Sequence, residues 1–186
     1  MSMPGSDGAD STTGEVIRPL RADEDALLAE ATLMNVNWTG EQRLTAADVA
    51  AEPSLAHYTV LHRGRGDEAL VAVGHGAGPD DAAPGAVVGL VWYLFLDADD
   101  PGYGYVADGV PELSVCVWPG HRGQGLGARL VEAACAHAAA RGIRRMSLSV
   151  ESGNPARRLY ERLGFVDVPG AAEGTIVRDL AADRVV

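Results

Sequence analysis

Three glycines alternate in the segment His121-Arg122-Gly123-Gln124-Gly125-Leu126-Gly127-Ala128, with an arginine directly before them. The segment follows a β-like run and opens a helical one. The first amides of a helix have no partner inside it and point outward. The helix dipole strengthens their attraction for an anion. Glycine lets such a backbone approach a pyrophosphate with no Cβ in the way, and Arg122 can add a charge-assisted contact. This spacing therefore suits the holding of a phosphorylated ligand. The competing reading is a tight turn needing positive φ, although alternating glycines exceed what one turn requires.

The residue types narrow the ligand. A P-loop requires Gly-Lys-Ser/Thr, and the chain contains no lysine. Gly123-x-Gly125-x-x-Ala128 fits the loose dinucleotide pattern, with Glu151 placed after the next strand as a ribose ligand. That leaves a Rossmann-type, NAD-dependent oxidoreductase open. Against it, the unit lies late in the chain, and the strands before it do not alternate with helices. Cys116 and Cys135 stand in no CxxC or Cys/His spacing, so neither a zinc site nor a disulfide framework is suggested.

The elements that must position this turn read as follows. Glu15 to Arg18 is a short strand ended by Pro19. Asp23 caps a helix running to about Asn35, and Thr45 caps a second, short one before Pro53. Tyr58 to Leu61 reads as a short strand, and Ala69–Val73 and Ala86–Leu96 as two longer ones. Gly74–Gly85 is a Gly/Pro/Asp loop. A second loop, Asp97–Gly109, carries Asp97, Asp99, Asp100 and Asp108 beside Tyr103 and Tyr105. Leu113–Val117 is a strand stopped by Trp118-Pro119. A helix from about Gly125 to Arg141 shows Leu130, Val131, Ala134 and Ala138 on one face. Met146–Val150 is a strand, Asn154-Pro155 opens a helix that ends at Gly164, and Phe165–Val168 and Thr175–Leu180 are the last strands. The early strands pair antiparallel, while the unit from 113 to 150 is parallel and right-handed. The expected fold class is α/β, a central twisted mixed sheet flanked by helices.

Composition is that of one globular domain, with residues 1–14 an expected disordered tail and 15–186 the domain. The net charge of −11 and pI near 4.7 argue against nucleic-acid or anionic-membrane partners. No apolar run approaches the roughly 18–20 residues of a membrane span. Met1–Gly14 lacks a signal-peptide h-region, so the expected location is cytoplasmic.

The run Val115-Cys116-Val117-Trp118-Pro119-Gly120-His121-Arg122-Gly123-Gln124-Gly125-Leu126-Gly127 resembles the acetyl-CoA signature of the GCN5-related N-acetyltransferase (GNAT) family. There a V-x-P-x-x-R-G-x-G-x-G run joins the fourth strand to the following helix. A second block, Asn154-Pro155-Ala156-Arg157-Arg158-Leu159-Tyr160-Glu161-Arg162-Leu163-Gly164-Phe165, is similar to that family's N-x-x-A-x-x-L-Y-E-x-x-G-F block. The two lie in the expected order, one helix and one strand apart. The likeness is sharp over 112–168 and looser upstream.

The resemblance implies a GNAT-type fold. It also implies direct acetyl transfer from acetyl-CoA to an amine, of a small molecule or a protein, through a ternary complex, without a metal. The alternatives within the fold are a different acyl-CoA donor, or a sensor that binds acyl-CoA without turnover. By the same resemblance the amides from Arg122 through Gly123, Gln124, Gly125, Leu126 and Gly127 to Ala128 hold the CoA pyrophosphate. Val115, Cys116 and Val117 line the pantetheine arm, the valines with strand-like hydrogen bonds. An amide near Val117 polarises the thioester carbonyl. Asn154 contacts the pantetheine or only caps its helix. Tyr160 is the candidate acid for the departing thiolate, or an aromatic packed under its helix. Glu112 is the candidate general base, or a solvated strand-edge carboxylate. Cys116 as a nucleophile has core filling as its competitor. The 97–109 loop is either a wall of the acceptor site, its aspartates drawing an ammonium group, or a solvated loop. Many relatives of this fold dimerise, which leaves a homodimer possible without fixing the oligomeric state.

Overall fold

A computed structural model describes residues 15–74 and 85–181. The expected tail over 1–14 and nearly all of the 74–85 loop lie outside these residues. Seven strands form one sheet in the order β1 (Val16–Pro19), β2 (Glu68–Val73), β3 (Val87–Leu94), β4 (Glu112–Val117), β5 (Arg145–Ser149), β7 (Thr175–Asp179), β6 (Val166–Asp167). All neighbours are antiparallel except β4 and β5. β3 lies mid-sheet, and Val88 through Leu94 are all buried.

Each face carries its own core. On one, α4 (Leu126–Ala140) turns Leu126, Leu130, Val131, Ala134 and Ala138 onto Leu70, Val91, Leu113 and Leu148, with Tyr160 of α5 (Arg157–Arg162) beside them. On the other, α1 (Leu27–Val36) packs Leu28 and Ala31 against Val71, Leu90, Trp92 and Cys116. The short α2 (Ala46–Ala51) and α3 (Pro53–Ala56) follow α1 on the same side. Thr45 caps α2 as expected, accepting from the Asp48 amide at 3.2 Å while Asp48 reaches back to the Thr45 amide at 2.8 Å.

Two expectations are corrected. Asp23 caps no long helix. Ala22–Glu24 is a separate 3-10 turn, in which Glu24 takes the Arg18 guanidinium at 2.6 and 2.7 Å and the Arg21 amide at 2.9 Å. That side chain ties the turn back to β1, so α1 starts later. Tyr58–Leu61 is not a strand, because His57–Thr59 is a further 3-10 turn. The Thr59 hydroxyl bonds the Ala56 carbonyl at 2.7 Å, and Tyr58 is buried. A tertiary anchor overrides the β propensity of the Tyr-Thr-Val run.

Candidate active site

The site is organised by the two ends of β4. Its backbone pairs with β3 from Leu94↔Glu112 to Gly89↔Val117, and the Trp118 amide donates to Val88 O at 3.0 Å. Strand alternation then turns the N–H and C=O groups of Leu113, Val115 and Val117 toward β5. β5 meets β4 only at Glu112↔Ser147, where the Ser147 amide donates to Pro111 O at 3.0 Å. Beyond that pair the strands diverge, leaving Val115 and Val117 on an unpaired edge. The guanidinium of Arg122 folds back onto this edge, Nε donating to Val117 O at 2.9 Å.

The edge runs into the Gly-rich turn. Gly123 and Gly125 adopt φ of 78° and 83°, a left-handed conformation that glycine takes without strain. Gly125 is the N-cap of α4, and the first helical bond runs from the Arg129 amide to Gly125 O at 3.2 Å. No amide from Arg122 to Ala128 donates to another backbone group among the described residues. A Cβ at 123 or 125 meets nothing within 4 Å, so the outer side of the turn is open. At Gly127, on the inner side, a Cβ would come 3.5 Å from Leu159 Cδ2. Leu126 anchors the turn in the core, and the Gln124 side chain reaches the Gly120 carbonyl at 3.5 Å. Free amides, an open approach and a buried anchor leave this turn chemically suited to an anion.

Tyr160 is buried, its ring edge-on to Phe165 at 6.0 Å. Burial pushes its phenol up to about 12, and the nearby Cys116 thiol adds to the rise. Cys116 is buried too, and burial pushes its thiol to about 12 as well, against the pull of Arg122. Such a thiol holds little thiolate and is a poor nucleophile. Its backbone faces β3 rather than the open edge. Asn154 Oδ1 accepts from the Ala156 amide at 2.9 Å, capping the turn that enters α5.

At the other end of β4, Glu112 is 4% exposed, not a solvated edge residue. The Tyr58 hydroxyl donates to Oε1 at 2.8 Å, while Oε2 has no hydrogen-bond partner. Burial pushes the carboxyl up to about 7, against the pull of Tyr58. The roof is Gly102-Tyr103-Gly104. A Cβ at Gly102 would collide with Glu112 Oε2 and lie 2.6 Å from the Tyr58 oxygen. A Cβ at Gly104 would lie 2.5 Å from Leu148 C and 2.7 Å from Ser149 N. Only glycines let this loop lie so close to the sheet.

The 97–109 loop spends most of its charge on itself. Asp97 Oδ1 accepts from the Asp99 and Asp100 amides at 3.0 and 3.1 Å, Asp100 pairs with His57 Nδ1 at 3.0 Å, and Asp108 accepts from Tyr105 at 2.7 Å. Tyr103 sets its ring parallel to that of Tyr58 and its hydroxyl 3.2 Å from Ser54 Oγ. Glu151 is no free ribose ligand. It accepts from Trp38 Nε1 at 2.6 Å and Arg43 Nη1 at 2.9 Å, joining the segment after α1 to the end of β5. Those bonds hold its carboxyl below the usual range, Arg43 contributing most.

Sequence reasoning missed Tyr58, Gly102 and the Trp38–Arg43–Glu151 clasp. The pair of glycines flanking Tyr103 was the one local signal, and it is ambiguous without the sheet beneath. Among the described residues no His, Cys, Asp and Glu group could hold a metal, and no helix is long and apolar enough to cross a membrane. A shallow hollow of about 580 Å³ at the far end of α4, lined by Arg141, Arg144, Arg145, Asp108 and Asp179, is remote from the Gly-rich turn.

A mixed sheet splayed between two parallel strands, with a Gly-rich helix start at the mouth of the splay, is an acyl-CoA transferase architecture. The Acetyltransferase (GNAT) family model matches residues 37–165, and the chain belongs to that family. Among solved structures, the chain resembles the GNAT domain of S. lividans PAT (21% identity, 88% of each chain, TM-score 0.59). It also resembles yncA of Salmonella typhimurium with acetyl-CoA (23%, 90% of this chain and 94% of that one, TM-score 0.60). YhbS of Escherichia coli in complex with CoA matches at 23%, over 95% and 87%, with a TM-score of 0.57. No curated protein matches. A sheet that is antiparallel at every pair except β4–β5 excludes the doubly wound Rossmann alternative, whose strands are mostly parallel.

Proposed function

We propose that the protein transfers the acetyl group of acetyl-CoA directly to an amine while both are bound. One observation carries this reading: the unpaired Val115–Val117 edge of β4 leads, through the short Trp118–His121 turn, to the free amides of 122–128. A ligand with a peptide-like arm and a pyrophosphate at its end meets both in sequence. Acetyl-CoA supplies an activated acyl thioester. Everything else falls to side chains and amides of this chain.

The Val115 and Val117 groups extend the sheet by one strand along the arm. The Val117 amide points into the splay, where it can donate to a developing oxyanion. Arg122 fixes the Val117 carbonyl and leaves its terminal nitrogens for phosphate. Tyr160 faces the region where a thiolate departs. An ordinary phenol, near pKa 10, is a weaker acid than an ordinary thiol near 8.5, which argues against it as the acid. Burial raises the Tyr160 phenol to about 12, so the proton moves downhill only where the departing thiolate is itself desolvated enough to gain affinity for it.

An amine arrives mostly as ammonium, and only the neutral form attacks. Glu112, near half-ionised at neutral pH, takes that proton. Because Gly102 roofs Oε2, the proton arrives through a water. The acceptor is an amine of a small molecule or of a protein.

Calorimetric titration tests the cofactor. Acetyl-CoA is expected to bind at micromolar Kd, about 8 kcal/mol, and NAD not at all. CoA release over a panel of primary amines then tests turnover, since a sensor would bind and release nothing. Tyr160→Phe is expected to lower turnover at nearly unchanged acetyl-CoA affinity; a lost affinity with unchanged turnover would end its role as the acid.

A further inference from the structure

Glu112 is not held by the strand that carries it. Its Oε1 receives one hydrogen bond, from Tyr58 at 2.8 Å, across 54 residues of sequence. The direction of that bond is fixed by a third group. The Tyr103 amide donates to the Tyr58 oxygen at 2.9 Å, so the phenolic proton has Glu112 as its acceptor. The Tyr58 ring is itself clamped, parallel to Tyr103 at a centroid separation of 6.3 Å and edge-on to His57 at 4.4 Å. His57 is tied to Asp100, and Gly102 closes the remaining side.

We infer that Tyr58 is a positioning residue of the transfer reaction: it orients Glu112 and sets how readily that carboxyl gives up and takes a proton. The inference rests on the reading of Glu112 as the base. Of the other groups around the carboxyl, the Gly104 amide also favours the ionised form, but less than Tyr58 does. Ser147, beside it on β5, bonds Pro111 O at 3.4 Å rather than Glu112. The His57–Asp100 pair lies behind the Tyr58 ring. No charged side chain hydrogen-bonds either Glu112 oxygen among the described residues. Burial and the charge of Glu112 drive the Tyr58 phenol upward, so it stays a donor through the working pH range.

The sign follows from the donor. A hydrogen bond to the ionised carboxylate favours that form, so its loss raises the carboxyl's midpoint. The test is carbon-13 NMR of the full chain labelled at glutamate Cδ, with the Glu112 resonance assigned by its absence in Glu112→Gln. Tyr58→Phe keeps the ring and removes the donor. Its Glu112 midpoint is expected to rise by about one pH unit, the scale of one hydrogen bond to a carboxylate. Tyr58→Phe also leaves the Tyr103 amide without its acceptor, so a second variant guards against disturbed packing. Replacing Tyr58 by 3,5-difluorotyrosine retains both bonds and strengthens the donor, and its midpoint is expected to fall. Shifts of opposite sign support the inference. Midpoints that coincide with the unmodified protein in both variants, or that move together, overturn it.

CoA release from acetyl-CoA with the amine panel separates this inference from the reading beneath it. The acid limb of kcat/KM is expected to follow the NMR midpoint in both variants. Full activity of Glu112→Gln would overturn the base role and with it the catalytic meaning of Tyr58, while the NMR shifts would still report the hydrogen bond.

Discussion

The two ends of β4 bind by opposite means. At its C-terminal end the groups proposed to hold the cofactor are backbone amides, set free because β5 diverges and because a helix begins at Gly125. Side chains there mainly stay out of the way. At its N-terminal end the proposed base is a single carboxylate, enclosed by Tyr58, Gly102, Gly104 and the first contact with β5. An anion carrying pyrophosphate is bound by many weak, geometrically fixed donors. A proton must be handled by one group whose affinity for it is tuned, and burial is the available means. The difference predicts that damage at either end stays local.

The largest effect is expected at the enclosed end. Glu112→Gln removes the proton acceptor and keeps the shape and the Tyr58 bond. CoA release with an amine is expected to drop by about 1,000-fold near neutral pH, within the range for lost general base catalysis. Acetyl-CoA affinity should hold within twofold. Steady-state rates beside calorimetry check both. A parallel loss of affinity would show that the two ends are not separate.

At the open end, Gly125→Val places a β-branched residue at a φ of 83°. No contact forbids it, since a Cβ there meets nothing; the backbone conformation does. The turn must change, and the amide cradle with it. Acetyl-CoA affinity is expected to weaken by about 100-fold, near 3 kcal/mol. The NMR midpoint of Glu112 should not move. Unchanged affinity would mean that the turn is only a turn.

This contrast also explains what could be read without coordinates. The open end is local: alternation of the strand, three glycines and a helix start lie within 15 residues, from Val115 to Arg129, and their geometry is written in their order. The fold was legible for the same reason, since β2 and β3 are short, continuous apolar runs and α4 repeats its apolar residues at helical spacing. The enclosed end is assembled from 58, 102–104, 112 and 147. Nothing near Tyr58 in sequence announces Glu112, and the Tyr-Thr-Val run there reads as β until burial of its tyrosine decides otherwise. Glu112 was placed by likeness to a family motif. Its burial, roof and partner came from tertiary contacts alone.

The last effect is thermodynamic, and it tests the enclosure directly. An ordinary glutamate titrates near 4.5, while burial raises Glu112 to about 7. Between those values the folded chain holds a proton that the unfolded chain has released. Raising the pH therefore favours unfolding, by at most about 1.4 kcal/mol per pH unit for one proton. The contribution is complete below pH 4.5 and is lost as pH rises through 7. Ion-paired carboxylates act in the opposite sense: Glu24, held down to about 2 mainly by its bond from Arg18, supports the fold above its unfolded value and fails in acid. Urea titrations of the native chain and Glu112→Gln, from pH 5 to 8, cancel that common background. The native-minus-variant stability is expected to decline from pH 5 to about 7 and to level off above it. A flat difference would mean that water reaches the carboxylate freely, and the two ends of β4 would then differ in residue type but not in design.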